Sequence, residues 1–417
     1  MSFAFKDIAA VDQVAASTPD VTIVMPCLNE MQSLPHCMAN ALDALSLLRT
    51  ELGLSGEILI ADNGSTDGSQ ALAAELGGRV VTVNERGYGA ALIGGCQAAQ
   101  GQYIMMGDCD GSYNFTEGVA MVAELQKGYD LCMGNRFRGG IAPGAMPWKN
   151  RYIGNPALTG ILNIFFKTGM RDAHCGLRAI RKNAFDRLNL SGSGMEFASE
   201  MVIKAALLKL KMSEVPATLS PDIRNRAPHL RPWRDGWRHL RYLFMLSPTW
   251  VFGFPGLAAI GSGTAILLVA ALHAFGLLAP IPFGESWIVI GALLFAVGHM
   301  ATMMSVVSHL YGVRSGFRSQ KSWLMRFRKV LSLEGFVIGG VALMAAAVAA
   351  MIGVAAFWGM GSFSALPSIL PVALASVAGT VGLQTVFGGF LFAVIMGNDA
   401  DFLPRAPASQ TGRAEPS

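Results

Sequence analysis

Charge is scarce in this sequence. Asp, Glu, Lys and Arg together make 14% of its 417 residues, where an ordinary water-soluble chain carries about 25%. Apolar residues (AVILMFWYC) reach 52%, which excludes intrinsic disorder, because disordered chains are poor in them. The same deficit disfavours a purely cytosolic protein. An excess of one sign is also missing: 32 Lys and Arg against 28 Asp and Glu leave +4, too mild for a nucleic-acid binder. No C-x-x-C pair occurs among Cys27, Cys37, Cys96, Cys109, Cys132 and Cys175, so zinc and thioredoxin-type redox chemistry have no support. A disulfide set fits the count but needs an oxidising compartment. The opening stretch MSFAFKDIAAVDQVAAS has no long apolar run behind a basic start. No cleavable signal peptide is expected, and the first domain is expected in the cytoplasm with reduced thiols.

What charge there is sits unevenly. Met1 to Tyr242 holds 24 basic and 23 acidic residues, and Leu243 onward only 8 and 5. The chain exceeds what one ordinary core uses. The expected order is an extension (1–20), a soluble domain (21–230), an amphipathic helix (231–247), a membrane domain (248–398) and a flexible cytoplasmic tail (399–417). Four uncharged stretches, Trp250–Leu272, Trp287–Tyr311, Gly335–Met360 and Ile369–Met396, are long enough to cross a bilayer, which takes about 20 residues. Small-residue spacings at Gly335–Gly339 and Gly253–Leu257 suit close helix contacts. Between the second and third spans lie Arg314, Arg318, Lys321, Arg326, Arg328 and Lys329, whereas 273–286 and 361–368 contain neither Lys nor Arg. Basic loops stay cytoplasmic, so the soluble domain, middle loop and tail are expected inside, at a bacterial cytoplasmic membrane. Arg234, Arg238 and Arg241 recur at i, i+4, i+7, as do Trp233, Trp237 and Leu240. That spacing puts a basic stripe beside an aromatic one, the pattern of a helix lying in the headgroup layer. His299, with no Asp or Glu inside any span, suits helix–helix hydrogen bonding better than a proton relay.

From Val21 the pattern alternates. VTIVM, EILIA, RVVTV, QYIMM and DLCMG read as buried strands, with helical stretches such as Met31–Glu51 and Thr66–Leu76 between them. This predicts an α/β fold: a mainly parallel sheet with helices on both faces. Ligands of such sheets bind beyond the carboxyl ends of the strands, so Pro26–Glu30, Asp62–Ser69, Asn84–Ala91 and Gly107–Phe115 converge on one edge. Asp108 and Asp110 suit a hard divalent ion, Mg²⁺ or Mn²⁺, shared with substrate phosphates and water. A surface turn explains the pair about as well. Asp62 can accept from a ribose or base, and Ser65 or Thr66 can cap the next helix. Gly87 and Gly89 stand where backbone would approach a ligand closely.

In order and spacing, VTIVMPCLNE, ILIADNGSTDGS, GYGAALIGG and YIMMGDCDGS resemble the family 2 glycosyltransferases with the GT-A fold. DLCMGNRF, RDAHCGLRAIRK, MEFASEM and SEVPATLSPDIRNR resemble the branch typified by dolichol-phosphate mannose synthase and bacterial polyprenol-phosphate sugar synthases. The likeness runs from Val21 to Arg226, and some members carry four helices after the catalytic domain. Two positions depart from the branch. Ser112 stands where it usually has a third metal ligand, Gln. WKNRYIGNPAL replaces its Ser-Arg-Gly, so Lys149 or Arg151 would have to substitute for that arginine.

The resemblance implies inverting transfer of a sugar from a UDP or GDP donor onto polyprenyl (undecaprenyl or dolichyl) phosphate. A phosphate monoester has its second pKa near 6 and is already nucleophilic at neutral pH, so positioning and charge stabilisation are what the protein must supply. Asp108 and Asp110 would hold Mg²⁺ or Mn²⁺ against the leaving diphosphate, with Arg136 as third catalytic residue. Nucleotide contacts would come from Pro26, Leu28, Asn29, Glu30, Asp62, Asn63, Gly64, Ser65, Gly87, Gly89, Asp108 and Cys109. Arg136, Arg151, Arg178, Arg224 and Arg226 are the candidates for the acceptor phosphate. Each has a plainer reading: Arg136 as a solvated arginine, Arg178 as a structural bridge to Asp172, Arg224 and Arg226 as headgroup contacts. Glu200 suits a helix-face carboxylate better than a base, and His174 a packed histidine. The branch often assembles, so a homo-oligomer is compatible. A processive polysaccharide synthase lacks its Gln-x-x-Arg-Trp motif here. A nucleotide-sensing transporter or another membrane acceptor remains as alternative.

Overall fold

Short aliphatic runs build the sheet of the first unit. The five expected strands are β1 (Val21–Cys27), β2 (Gly56–Asp62), β3 (Arg79–Thr82), β4 (Tyr103–Met106) and β5 (Leu131–Asn135). Three more, β6 (Gly140–Ile141), β7 (Arg178–Arg181) and β8 (Met212–Leu219), complete an eight-stranded sheet in the order β3-β2-β1-β4-β7-β5-β8-β6. Five of its seven pairings are parallel, and only β7 runs antiparallel to its neighbours β4 and β5. The computed structural model describes residues 18–224, 232–278, 284–316, 318 and 331–397, and the chain divides into Met1–Tyr242 and Leu243–Ser417. Most of the 1–20 extension, Arg226, the Trp233 side chain, Lys321, Arg326, Arg328, Lys329 and the 399–417 tail lie outside the described residues.

Side-chain alternation along the strands selects which helix covers which face. Val21, Ile23, Met25, Ile58 and Ile60 pack against α1 (Leu34–Leu52), which buries Leu34, Met38, Ala41 and Leu48 at helical spacing. Each of the Leu and Met side chains contributes about 1.5–3 kcal/mol when fully buried. Val24 and Leu59 point the other way, to α3 (Tyr88–Ala98). That helix lies so close that a Cβ on Gly95 would stand 2.6 Å from Val24 Cγ1 and 2.9 Å from Ala61 Cβ. The sheet is thus covered on both faces, and the loops leaving β1, β2, β4 and β5 gather at one edge. The remaining helices are α2 (Ser69–Glu75), α4 (Gly118–Gln126), α5 (Arg136–Gly139), α6 (Asn155–Phe166), α7 (Lys182–Leu188), α8 (Phe197–Leu207) and α9 (Pro232–Met245). On α9, Arg234, Trp237 and Arg241 are exposed and His239 is buried.

The second unit contains α10 (Phe254–Ala274, entered through a π turn at Thr249–Gly253), α11 (Ser286–Arg314), α12 (Leu333–Met360) and α13 (Leu370–Ile395). All four are long and apolar enough to cross a membrane. His299 Nδ1 lies 3.0 Å from Gln384 Oε1, a hydrogen bond joining α11 to α13 as the sequence suggested. Glycines let these helices touch. A Cβ on Gly298 of α11 would meet the Gly256 carbonyl of α10 at 2.6 Å, and one on Gly340 of α12 would meet the Gly382 carbonyl of α13 at 2.6 Å. The expected Gly335–Gly339 contact is displaced by one residue, since Gly339 faces open space. Gly340→Val should therefore overpack α12 against α13, at a cost of about 1–3 kcal/mol. A clearly lower melting temperature in detergent is the expected outcome, with Gly339→Val melting like the parent protein.

Candidate active site

Beyond β4 the chain carries Asp108 and Asp110, and their environment sets their chemistry. Tyr88, at the start of α3, donates its hydroxyl to Asp108 Oδ1 at 2.7 Å. Gly176 backs the other oxygen: a Cβ there would stand 2.7 Å from Asp108 Oδ2. Loss of solvation and then the charge of Asp110 push the Asp108 carboxyl up to about 6, against the pull of Tyr88, Arg178 and Arg224. Asp110 Oδ1 accepts from Ser112 N–H (3.0 Å) and Ser112 Oγ (2.5 Å). Asp110 Oδ2 accepts from Arg224 Nη2 at 3.0 Å. Arg224 also donates to Glu30 Oε1 at 2.9 Å and pairs with Asp222, so a single guanidinium joins three carboxylates. The strap carrying it is fastened from beneath: Ser220 N–H donates to the Ser112 carbonyl (2.9 Å) and Ile223 N–H to the Asp110 carbonyl (3.2 Å).

This donor set fits a hard divalent cation. Two carboxylates one residue apart repel each other, and that repulsion is what a shared cation removes. Among the described residues no group of three or more His, Cys, Asp or Glu forms a metal cage. Most of the coordination would therefore fall to phosphate and water, the usual situation for Mg²⁺. Ser112 spends its hydroxyl on Asp110 and so positions it.

The loops after β1 and β2 are locked to each other. Asn29, held at φ 57°, donates its N–H to Ser65 Oγ (2.9 Å), and Thr66 N–H donates to Asn29 Oδ1 (2.8 Å). Glu30 N–H donates to Ser69 Oγ at 3.0 Å. Pro26 and Leu28 stand half-buried at the end of β1. Asp62 anchors the turn that follows β2. Its carboxylate is fully buried and spent on its own turn, accepting from Gly64 N–H (3.0 Å), Ser65 N–H (3.2 Å) and Gln70 Nε2 (2.5 Å). Asn63 ties the next loop, donating to the Val83 and Glu85 carbonyls (3.0 and 2.6 Å) and accepting from Gly87 N–H (2.8 Å).

Gly87 and Gly89 stand where another stretch of backbone comes close. The close approach they allow is by the chain itself: a Cβ on Gly87 would stand 2.0 Å from the Ser193 carbonyl, and one on Gly89 2.1 Å from the Gly192 carbonyl. Cys109 is buried, and its thiol is pushed up by its contact with Cys37 and by burial. Its carbonyl accepts from Ser33 Oγ at 2.6 Å.

The arginines separate into two groups. Arg136 is 7% exposed and forms a bidentate pair with Asp172, Nε to Oδ2 at 2.7 Å and Nη2 to Oδ1 at 2.8 Å. Breaking such a buried pair costs about 3–5 kcal/mol, so the guanidinium is held on Asp172. Arg178 does not pair with Asp172. It is buried and donates to the Cys175 and Ala198 carbonyls (2.5 and 3.4 Å). Accessible cations are left at Lys149 and Arg151. Arg86, which the sequence did not single out, sets its guanidinium 3.4 Å from where a Gly64 Cβ would stand. Glu200 and His174 are structural, as expected. Glu200 pairs with Lys204 at 2.7 Å and accepts from Gly192 N–H at 2.7 Å. His174 lies 3.1 Å from Ser199 Oγ, and burial holds its pKa well below the usual value.

A GT-A-like sheet with an acidic edge, followed by four apolar helices, defines a sugar-transfer domain joined to a membrane region. Comparison with known proteins agrees. Residues 22–188 match the family described as glycosyl transferase family 2, and 306–396 match the family 2 C-terminal transmembrane region. The chain is 35% identical to the low-salt glycan biosynthesis hexosyltransferase Agl6 of Haloferax volcanii over 380 residues, 89% of this chain and 88% of that protein. It is 32% identical to glycosyltransferase AglJ of the same organism over 260 residues, 61% and 82% of the two chains. The dolichyl-phosphate hexose transferase of that organism is 25% identical over 197 residues, covering 47% and 81%. The chain belongs to glycosyltransferase family 2.

The raised pKa of Asp108 has a consequence for stability. A folded-state value of about 6, above the ordinary 3.8, means that the bound proton favours the fold. That contribution is complete below about pH 4 and lost as pH rises through about 6. Asp108→Asn is neutral at every pH, so without added divalent ion it should melt above the parent protein at pH 7.5. The gap should close toward pH 4; equal melting at pH 7.5 contradicts the assignment.

Proposed function

We propose that the protein transfers a sugar from a nucleoside-diphosphate donor to a polyprenyl phosphate at the cytoplasmic face of a membrane, with inversion at the anomeric carbon. The observation that carries this reading is the Asp108–Asp110 pair, raised in charge density beyond β4, in a family 2 chain that also has four membrane-crossing helices. The dolichyl-phosphate hexose transferase among its relatives supports the acceptor class, and the basic loop between the second and third spans supports the orientation. His299 joins two helices through Gln384, a packing role that does not call for the transporter alternative.

In this reading the nucleoside lies against the joined Pro26–Glu30 and Asp62–Ser65 loops, whose internal hydrogen bonds hold them in place before the donor arrives. Asp108 and Asp110 would hold Mg²⁺ or Mn²⁺, which would supply positive charge to the departing diphosphate. Tyr88 and Ser112 fix the direction of the two carboxylates. Arg151 and Lys149 orient the acceptor phosphate, and Arg224, poised on Asp110, is near enough to meet donor phosphate. A phosphate oxygen of the lipid forms the new bond to the anomeric carbon. The bond to the diphosphate breaks, and the nucleoside diphosphate leaves with the electron pair. No side chain has to remove a proton, because the attacking phosphate is already ionised.

The purified protein should convert a radiolabelled UDP- or GDP-sugar and undecaprenyl phosphate to glycolipid, and chelation should abolish the product. Asp110→Asn should lower turnover by about a hundredfold or more while inserting and folding normally. Glycolipid formed equally well by the variant, or unaffected by chelator, would remove the metal-assisted reading.

A further inference from the structure

Helix α9 meets α8 through polar groups where packing alone would ask for apolar ones. His239 is buried, and its Nδ1 lies 2.8 Å from Ser199 Oγ on α8. The same oxygen lies 3.1 Å from His174 Nε2, and the two imidazoles meet edge to face with centroids 5.0 Å apart. A serine hydroxyl has one proton to give, so it donates to one ring and accepts from the other. Three residues along α9, on the same face, the Tyr242 phenol meets Glu200, and burial and then the Glu200 charge push that phenol up. Against burial, Lys204 and then Tyr242 hold the Glu200 carboxyl below its usual value. Ser199 and Glu200 are consecutive in sequence, and both are fully buried.

From these two adjacent residues the contacts part, and they meet again on Asp108. Ser199 reaches His174, two residues before Gly176. At Gly176 a Cβ would stand 2.7 Å from Asp108 Oδ2, and the Gly176 N–H donates to the Tyr113 hydroxyl at 2.9 Å. Glu200 takes the other route, accepting from Ser191 N–H at 3.1 Å and Gly192 N–H at 2.7 Å. The Gly192 and Ser193 carbonyls press on Gly89 and Gly87, and Tyr88 between those glycines donates to Asp108 Oδ1 at 2.7 Å. One face of α9 therefore backs both oxygens of a single carboxylate. Apolar residues at 239 and 242 would pack α9 without the cost of burying polar atoms. Hydrogen bonds add direction, which a satisfied buried network supplies and an apolar contact does not. In chain order α9 is also the helix that precedes the first membrane-crossing segment.

We propose that His239 and Tyr242 are positioning residues: with α9 in place, the Ser199–His174 and Glu200–Gly192 contacts set the direction of Asp108, and with α9 released that direction is lost. The state of the helix leading to the membrane is thereby coupled to the carboxylate at the sheet edge. Its bearing on turnover rests on the sugar transfer proposed above; the alignment of Asp108 does not.

Tyr88 touches Asp108 and can report on it. With 3-fluorotyrosine in place of Tyr88 in the full chain, in nanodiscs, the ¹⁹F resonance reads that hydrogen bond without donor, acceptor or turnover, and Asp108→Asn marks its position when the contact is altered. Tyr242→Phe, which removes one oxygen, and His239→Ala should each shift the resonance toward that mark or split it in two. His239→Asn keeps a polar atom near Nδ1 and should restore the parent resonance. Glycolipid formation should fall about tenfold in the two deletion variants and recover in His239→Asn. If His239→Ala fails to fold, Tyr242→Phe still decides. A resonance that keeps the parent position in every folded deletion variant, even one with a lowered melting temperature, would make the α9 contacts packing alone and overturn the proposal. A shifted resonance in a chain that forms no glycolipid would support the positioning and count against the proposed reaction.

Discussion

Two carboxylates one residue apart at the end of a buried strand repel each other while losing solvation, and the arrangement of the sheet edge follows from that conflict. Burial and the Asp110 charge raise Asp108 to about 6. The fold answers with oriented donors and one shared cation: Tyr88 on Asp108, Ser112 on Asp110, and the Arg224 guanidinium divided among Asp110, Glu30 and Asp222. In the proposed reading, a site that holds its negative charge in place at a cost in stability would suit a cation that arrives with its substrate.

The support for that pair extends well beyond it. Lys204 holds Glu200, which accepts from Gly192 N–H at 2.7 Å. The 192–194 backbone in turn sits against Gly87 and Gly89, and Ala90 N–H donates to the Ser193 carbonyl at 3.1 Å. Those contacts set the start of α3, where Tyr88 reaches Asp108. On the other side Arg136 and Asp172 join the end of β5 to the segment leading to β7, and Gly176 on that segment leaves room for Asp108. Side chains far from the chemistry in sequence thus fix the direction of one carboxylate.

Much of this was legible in the sequence where a pattern is local. Five strands could be read from aliphatic runs and the four spans from uncharged length, and Asp108, Asp110 and Arg224 stood out by position. β7 escaped because RAIR has a charge at each end, and β8 because MSEVPATL contains Glu214 and Pro216. Tertiary pairing was the harder part. Asp172 had been matched with Arg178 as neighbours in one motif, yet it binds Arg136, which is 36 residues away. Tyr88 and Gly176 carry no chemical signal in one dimension; their importance is a distance to Asp108. Gly87 and Gly89 suggest close approach of a ligand, and the distances add one that the sequence does not display, that of the chain's own backbone.

The central claim is that Asp108 and Asp110 together hold a divalent cation jointly with the donor's diphosphate. Electron paramagnetic resonance of Mn²⁺ tests it without any turnover, by following loss of the free-ion signal as protein is added with and without UDP or GDP. The account predicts weak binding that tightens when the nucleoside diphosphate is present and is lost in Asp108→Ala. Mn²⁺ that stays free in the presence of either nucleotide, or binds the variant as well as the parent protein, would contradict it.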